Sequence, residues 1–211
     1  MGDCCACYAD KFDDARADDD LARYRRDGPS HTTRLLLDAL RAEGVADATL
    51  LDVGGGVGVV QHELLAAGVR ETVAVDASRA YLSAARGEAE RRGTADRTTF
   101  LHGDFVALAP EIATADIVTL DRVICCYPDM DVLVAASASR ARRLYGIVVP
   151  RDTWWVRAVE GAGNLLRRLQ RRDFRSYIHR LADIDAAVLA QGLHRCFSGG
   201  TLKWQVWVYV R

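Results

Sequence analysis

Short apolar runs alternate along this chain with segments whose apolar residues have helical spacing. The strand-like runs cover residues 49–53, 71–76, 98–104, 116–121 and 144–149. Helical patterns cover residues 31–44, about 58–67, about 78–92 and about 130–142. Most strand-like runs are apolar throughout rather than alternating, which is typical of strands that are covered on both faces. The pattern therefore predicts a parallel sheet with helices on either side.

Both ends of the chain depart from this alternation. Residues 1–30 are polar and irregular, and residues 27–30 predict a turn in which Ser30 is an N-cap. After a helix near residues 183–191, two strand-like runs flank Gly199 and Gly200, which predicts a terminal hairpin. We expect one domain over residues 31–211, an N-terminal lid over residues 1–30, and an acceptor-binding insertion at residues 151–178.

The charge balance disfavours several classes of partner. The chain has 28 basic and 29 acidic residues, so no global field favours nucleic acid or an anionic membrane. No secretory signal is recognisable, and no apolar run approaches the roughly 20 residues of a membrane-spanning helix. We expect a cytoplasmic protein without integral membrane contact or a nucleic-acid partner, whose six cysteines are mainly thiols.

A glycine cluster lies between the first strand and the next helix. Such a turn lets a ligand approach the backbone and face the positive end of the helix. A dinucleotide fingerprint needs a third glycine where Val59 stands, and a phosphate-binding P-loop needs a nearby lysine, which is absent. The glycine spacing therefore disfavours a dinucleotide site, and the missing lysine disfavours a P-loop.

Acidic residues follow the next strands at corresponding points. Asp76 ends the second strand, where a carboxylate can accept hydrogen bonds from both hydroxyls of a ribose. Asp104 and Phe105 follow the third strand, and the segment LDRVICCYP (residues 120–128) follows the fourth.

Together, these motifs resemble class I S-adenosylmethionine-dependent methyltransferases over roughly residues 30–211. The resemblance implies an α/β fold with a doubly wound, seven-stranded, mostly parallel sheet (Rossmann-like) and a C-terminal antiparallel hairpin. It implies S-adenosyl-L-methionine as the cofactor and direct methyl transfer, in which the protein mainly positions the reactants. The cofactor-binding residues that it implies are Tyr24, Gly28, Asp52, Gly54, Gly55, Gly56, Gly58, Asp76, Ala77, Asp104, Phe105, Asp121 and Arg122.

Within this superfamily, the chain is most similar to magnesium-protoporphyrin IX methyltransferase and its bacterial relatives. The similarity lies in YRRDGPSHTTR (residues 24–34), LDRVICCYPD (residues 120–129) and RSYIHRLADIDAAVLAQG (residues 175–192). The porphyrin enzyme tends to carry Ile-His-Tyr after strand four, where this chain has Ile124 followed by two cysteines and Tyr127. The resemblance is therefore a guide to the cofactor and layout more than to the acceptor.

Two residues are candidates for catalysis, and one segment is a candidate for binding the acceptor. His179 is predicted to be a general base or an acceptor-orienting donor, the alternative being a structural hydrogen bond. Tyr127 is predicted to line the acceptor pocket. Residues 152–177 alternate apolar side chains with arginines, which fits an acceptor lid, a membrane-surface helix or a homodimer contact. We favour the lid, and thus O-methylation of an apolar, acidic small-molecule acceptor.

The cysteines leave a second chemistry open. Cys4, Cys5 and Cys7 form one cluster and Cys125 and Cys126 another, and neither has the spacing of a metal knuckle. No metal is predicted, but joined clusters could hold zinc or present a soft metalloid to the methyl donor. A further alternative is a non-catalytic, cofactor-binding regulatory protein. The sequence leaves open the acceptor, the methylated atom and the oligomeric state.

Overall fold

The computed structural model describes residues 11–211, and it confirms the predicted sheet. Its strands are β1 (Thr49–Val53), β2 (Glu71–Asp76), β3 (Thr98–His102), β4 (Ala115–Asp121), β5 (Ala141–Pro150), β6 (His194–Gly200) and β7 (Trp204–Val210). They form one seven-stranded sheet in the order β3-β2-β1-β4-β5-β7-β6. The first five strands run parallel, and β7 pairs antiparallel with both β5 and β6, as the predicted terminal hairpin requires.

Helices cover the sheet on both faces. They are α1 (Asp14–Asp27), α2 (His31–Ala42), α3 (Val59–Ala66), α4 (Arg79–Arg92), α5 (Phe105–Leu108), α6 (Met130–Ala138), α7 (Trp154–Leu169) and α8 (Leu181–Leu189). Short 3-10 turns occupy Ala95–Arg97, Ala109–Glu111 and Ile124–Cys126. Leu50 and Leu51, neighbours on β1, are both buried but belong to different cores on opposite faces. Burial on both faces explains why the strand sequences do not alternate.

The N-terminal segment differs from the prediction, because residues 14–27 are helical rather than irregular. Asp13 caps α1 by accepting a hydrogen bond from the backbone nitrogen of Arg16 at 2.9 Å. Ala17, Leu21 and Tyr24 form a buried stripe on α1, which packs against Val57 and Tyr81. This stripe is narrow and is surrounded by acidic and basic residues, so the composition concealed its helical periodicity.

The prediction of a helix over residues 130–142 is wrong at the C-terminal end of that helix. α6 ends at Ala138, and β5 already begins at Ala141, which pairs with Ala115 of β4. The backbone nitrogen of Ala115 donates to the carbonyl of Arg140 at 2.9 Å. Strand pairing across the sheet therefore decides this boundary, and a local pattern does not contain that information.

Some expectations concern the whole chain and are answered only in part. None of the helices within residues 11–211 is long and apolar enough to cross a bilayer. The same residues contain no group of three or more histidine, cysteine, aspartate or glutamate side chains placed to hold a metal ion. Cys4, Cys5 and Cys7 lie outside the described residues, so the metal hypothesis that joins the two clusters is untested.

Candidate active site

A cleft of about 670 Å³ opens at the carboxyl ends of the parallel strands. The chain proceeds outward from β1 through β2 to β3 and then crosses to β4 on the other side, so β1 and β4 flank the topological switch point. Ligands of open parallel sheets bind at this point. The volume lies within the range of about 300–1,000 Å³ that is common for small-molecule sites.

The glycine turn between β1 and α3 forms the floor of the cleft. Gly54 has a φ of 63°, and a Cβ added to it would lie 2.6 Å from Cγ2 of Val123. A Cβ added to Gly55 would lie 2.5 Å from Oδ2 of Asp52. Gly56 also has a positive φ, of 58°. These positions require glycine because the turn is pressed against neighbouring side chains and because two of them adopt left-handed conformations.

Asp52 lies beneath this turn and is completely buried. Its Oδ1 accepts a hydrogen bond from the Thr119 hydroxyl at 2.7 Å, whereas Oδ2 has no hydrogen-bond partner among the described residues. Burial raises the pKa of Asp52 to about 7, and the nearby charges of Asp121 and Asp76 add to this shift. An unpaired carboxylate oxygen at the floor of a cleft is suited to a cationic ligand.

Asp76, at the end of β2, is bonded to the glycine turn. Its Oδ2 accepts from the backbone nitrogen of Gly56 at 3.0 Å, and its Oδ1 accepts from that of Ser78 at 2.8 Å. Burial raises the pKa of Asp76, and these two backbone N–H groups oppose the shift. Ala77 also lines the cleft, and its carbonyl lies 3.1 Å from Nε2 of His102.

Asp104 and Phe105 line the cleft beyond the end of β3. Asp104 caps α5 by accepting from the backbone nitrogen of Val106 at 3.0 Å, and the hydroxyl of Tyr127 donates to its other oxygen at 3.2 Å. Phe105 is 5% exposed and belongs mainly to the core. Tyr127 thus joins the end of β4 to the end of β3 across the cleft.

Asp121 and Arg122 connect the end of β4 to the start of α2. Asp121 accepts from the Thr33 hydroxyl at 2.6 Å, and the Arg122 guanidinium donates to the hydroxyls of Ser30 and Thr32. Arg122 has a positive φ of 64°, and its guanidinium carbon lies 5.5 Å from the ring centroid of Trp204. Both residues line the cleft, as their predicted place at the cofactor requires.

Tyr24 and Gly28 reach the cleft from the last turn of α1 and the residue after it. The Tyr24 hydroxyl donates to Glu63 at 2.8 Å, and the backbone nitrogen of Gly28 donates to the Tyr24 carbonyl at 2.9 Å. The Tyr81 hydroxyl donates to Asp20 at 2.5 Å and so attaches α1 to α4. Within the predicted lid segment, residues 14–28 therefore lie against the side of the cleft that contains the glycine turn.

Two predicted site residues do not line the cleft. Gly58 is the N-cap residue of α3 and has a φ of 84°. A Cβ added to it would collide with the side chain of Gln61, so Gly58 shapes the turn without facing the cleft. His179 has its Nε2 3.0 Å from the backbone oxygen of Tyr127. This geometry favours a role for His179 in positioning Tyr127, and its predicted catalytic role remains a prediction.

We call the part of the cleft lined by Lys11, Arg167, Phe174, Lys203 and Trp204 the acceptor half. Arg167 and Phe174 lie within the predicted acceptor-binding segment, although the sequence analysis named none of the five individually. The ammonium of Lys11 and the guanidinium of Arg167 each lie 5.6 Å from the centroid of Phe174. The ammonium of Lys203 lies 5.6 Å from the centroid of Trp204. Burial lowers the pKa of Lys11, and the positive charges of Arg16 and Arg167 lower it further. These residues come from three segments that are distant in sequence, at residue 11, residues 167–174 and residues 203–204, so no local motif indicates that they meet.

The two cysteines after β4 also line the cleft. Their sulfur atoms are 4.0 Å apart, and both lie close to the carbonyl oxygen of Arg122. Cys125 is buried and Cys126 is half-buried. Their position beside the acceptor half keeps the thiol-based alternative testable.

Comparisons with known proteins agree with this arrangement. Residues 50–144 match the family model described as a methyltransferase domain. None of the curated proteins matches the chain in sequence.

Several solved structures share the fold. Magnesium protoporphyrin IX methyltransferase from Synechocystis, with bound S-adenosylhomocysteine, has a TM-score of 0.69 and 22% identity, over 85% of this chain and 81% of that one. An O-methyltransferase family protein from Burkholderia thailandensis has a TM-score of 0.71 and 17% identity, over 93% and 59%. An O-methyltransferase family 2 protein from Planctomyces limnophilus, in complex with apigenin, has a TM-score of 0.60 and 17% identity, over 87% and 62%.

Proposed function

We propose that this chain is a class I S-adenosylmethionine-dependent methyltransferase and that it methylates an oxygen atom of a small acceptor that is both apolar and acidic; the matched methyltransferase domain and the shared fold support the first part. The observation that carries this proposal is the division of one cleft into two chemically different halves. One half has the glycine turn and buried carboxylates. The other has aromatic rings with cations above them.

The first half fits the cofactor. The unpaired Oδ2 of buried Asp52 suits the positive charge of S-adenosylmethionine, and the bare backbone of Gly54 and Gly55 leaves room for close approach. Asp76 and Asp104 would hold the ribose and the adenine, respectively. The bound cofactor supplies an activated methyl group on a sulfonium. The protein's own contribution is to align the acceptor with that group and to exclude water.

The second half supports an acidic, ring-containing acceptor. Phe174 and Trp204 provide flat apolar surfaces, and Lys11 and Arg167 have no ion pair with a carboxylate among the described residues. Cations in partly apolar surroundings bind carboxylates through charge-assisted hydrogen bonds. The Synechocystis protein is named for magnesium protoporphyrin IX and the Planctomyces protein is in complex with apigenin, and both compounds support a choice of ring compounds for the screen.

The proton balance favours an acceptor that is already ionised. No histidine is among the described residues that line the cleft. A hydroxyl of high pKa needs a base to remove its proton during transfer, whereas a carboxylate does not. We therefore propose a carboxylate oxygen as the methylated atom, with Tyr127 contacting the acceptor and α1 and the segment after α7 enclosing it.

The test combines binding with transfer. Titration calorimetry with S-adenosylmethionine and S-adenosylhomocysteine should show binding at micromolar order, and labelled methyl groups should then pass into a panel of aromatic carboxylic acids. A base-labile product would identify a methyl ester. Cofactor binding without methyl transfer to any acceptor, together with an unchanged cofactor affinity in Tyr127→Phe, would favour the non-catalytic regulatory alternative. Transfer to trivalent arsenic or to a thiol instead of the acids would favour the chemistry of Cys125 and Cys126.

A further inference from the structure

Helix α7 presents an apolar face that is not covered by the rest of the described chain. We define the α7 apolar face as Trp154, Val159, Leu165, Leu166 and Leu169, whose exposed fractions are 81%, 55%, 59%, 55% and 74%. At 3.6 residues per turn, these side chains fall within an arc of about 140°. Val156, on the inner side of the helix, is completely buried. The helix is therefore anchored by its inner side and leaves its apolar face in solvent.

The face is extended by the turn between β6 and β7. Leu202 in this turn is 86% exposed. The backbone and side chain of Arg151 donate to the carbonyls of Lys203 and Thr201, both at 2.8 Å, and hold the turn against the start of α7. Contiguous apolar surface of this kind is uncommon on monomeric soluble proteins and marks an interaction site.

The charges around the face are almost all positive. Arg157, Arg168, Arg171 and Arg172 are exposed on α7 or directly after it. Between residues 151 and 175, Asp173 is the one exposed acid. Glu160 is half-buried and is paired with Lys203 at 2.9 Å, and Asp152 is paired with Arg157 at 3.9 Å. Arg168, Arg171 and Arg172 have no ion pair with an acid among the described residues. The near-neutral charge of the whole chain therefore conceals a local basic, apolar surface.

We propose that the α7 apolar face, together with Leu202, docks on the surface of a membrane that contains anionic lipids. Such a surface offers an apolar interior beneath a negatively charged layer, and basic amphipathic helices with tryptophan and leucine lie in that interface. A second copy of the chain fits less well, because facing two identical surfaces would bring their arginines together. The sixteen residues of α7 are too few to span a bilayer, which agrees with a helix in the interfacial plane.

The position of this surface relates it to the cleft. Arg167 on α7 and Lys203 beside Leu202 both line the acceptor half. Docking would thus bring the cleft close to the lipid, where an apolar acceptor accumulates. The docking inference stands on the exposed surface alone and does not require that the proposed acceptor is correct.

Vesicle sedimentation tests the proposal with the full chain. Wild-type protein should sediment with vesicles of mixed phosphatidylcholine and phosphatidylserine, and much less with phosphatidylcholine alone. Each arginine near an anionic surface strengthens binding roughly five-fold, so Arg168→Glu combined with Arg171→Glu should weaken it by well over ten-fold. Changing Trp154, Leu165 and Leu169 together to serine should abolish binding, while cofactor affinity stays unchanged because none of these side chains lines the cleft.

The control is the matched replacement of Val132 and Leu189 by serine, since both are 44% exposed but lie on α6 and α8. This variant should bind vesicles as the wild type does. The proposal would be overturned if the wild-type protein sedimented with neither kind of vesicle. So would a dimer, detected by light scattering, that the three serine substitutions dissociate while vesicle binding is absent, because a second copy would then be the occupant.

Discussion

The backbone nitrogen of Gly56 donates a hydrogen bond to Oδ2 of Asp76, with 3.0 Å between the two atoms. The acid at the end of β2 therefore holds the glycine turn that begins after β1. Asp76 shapes the floor of the cleft in this arrangement, and we propose that its remaining lone pairs accept hydrogen bonds from the cofactor's ribose. Loss of the carboxylate should affect both.

Asp76→Ala should weaken S-adenosylmethionine binding by at least about 100-fold. Hydrogen bonds to charged groups contribute about 1.5–3 kcal/mol each, and the ribose offers two. Titration calorimetry measures this change, and Asp96→Ala, an exposed acid in the turn after α4, is the control. Unchanged affinity in Asp76→Ala would contradict the ribose assignment.

Gly55→Ala should close the cofactor site, because the new Cβ would lie 2.5 Å from Oδ2 of Asp52. We expect a loss of cofactor binding and a lower melting temperature. Gly87→Ala is the matched control, since Gly87 is exposed within α4 and a Cβ added to it would have nothing within 4 Å. Alanine should stabilise that helix by up to about 1 kcal/mol. Equal effects of the two substitutions in thermal unfolding would argue against the tight packing of the turn.

The affinity for the cationic cofactor should rise as the pH increases through about 7. Asp52 is completely buried, which raises its pKa to about 7, and only its ionised form attracts the positive charge. Calorimetry from about pH 6 to pH 8 should show the rise, and Asp52→Asn should remove it while keeping an oxygen for the Thr119 hydroxyl. A rise of the same size in Asp52→Asn would assign it to another group.

The same carboxyl group has a predictable effect on stability in the absence of cofactor. Its pKa is raised on folding, so between about pH 4 and pH 7 the native state binds more protons than the unfolded state. The contribution of Asp52 to the free energy of unfolding should therefore fall across this interval and become constant above it. Denaturant unfolding of wild-type protein and Asp52→Asn across the interval isolates this contribution.

Arg167→Met should raise the KM for an acidic acceptor by about ten-fold and leave cofactor affinity unchanged. Arg167 lines the acceptor half, where its charge lies 5.6 Å from the centroid of Phe174, and methionine keeps most of its apolar contacts. Arg70→Met, which alters an exposed pair with Glu71, is the control. Wild type and Arg167→Met should bind the neutral methyl ester or amide of the same acceptor with equal affinity. Equal losses of affinity for the charged and the neutral form of the acceptor would indicate that Arg167 acts through packing rather than through its charge.

His179→Ala distinguishes the two roles that the sequence left open. A general base contributes about 100- to 10,000-fold to the rate, and its loss alters the pH profile. The contact between His179 and the Tyr127 carbonyl predicts a smaller effect, below about ten-fold, with an unchanged pH profile. His194→Ala, on the exposed edge strand β6, is the control. A loss above 100-fold with an altered profile would restore the catalytic assignment.

The strands, the glycine turn and its acids could be predicted from the sequence because local chemistry determines them. Glycine is the residue that most readily adopts the left-handed φ of Gly54, and Asp76 ends an apolar run that is typical of a buried strand. The carboxyl ends of parallel strands meet at one edge, so the order of the motifs was sufficient to bring Asp52, Asp76 and Asp104 to one cleft.

The acceptor side depended on tertiary structure. Lys11, Phe174 and Trp204 are far apart in sequence, and only the packing of α1, the segment after α7 and the terminal hairpin brings them to one cleft. The sequence also did not determine which face of α7 is buried, because a helix with one apolar and one basic face can bury either of them. Val156 anchors the inner side against the body, and the exposed tryptophan and leucines consequently face outward. Local spacing determines which residues share a face, but only long-range contacts decide what that face meets.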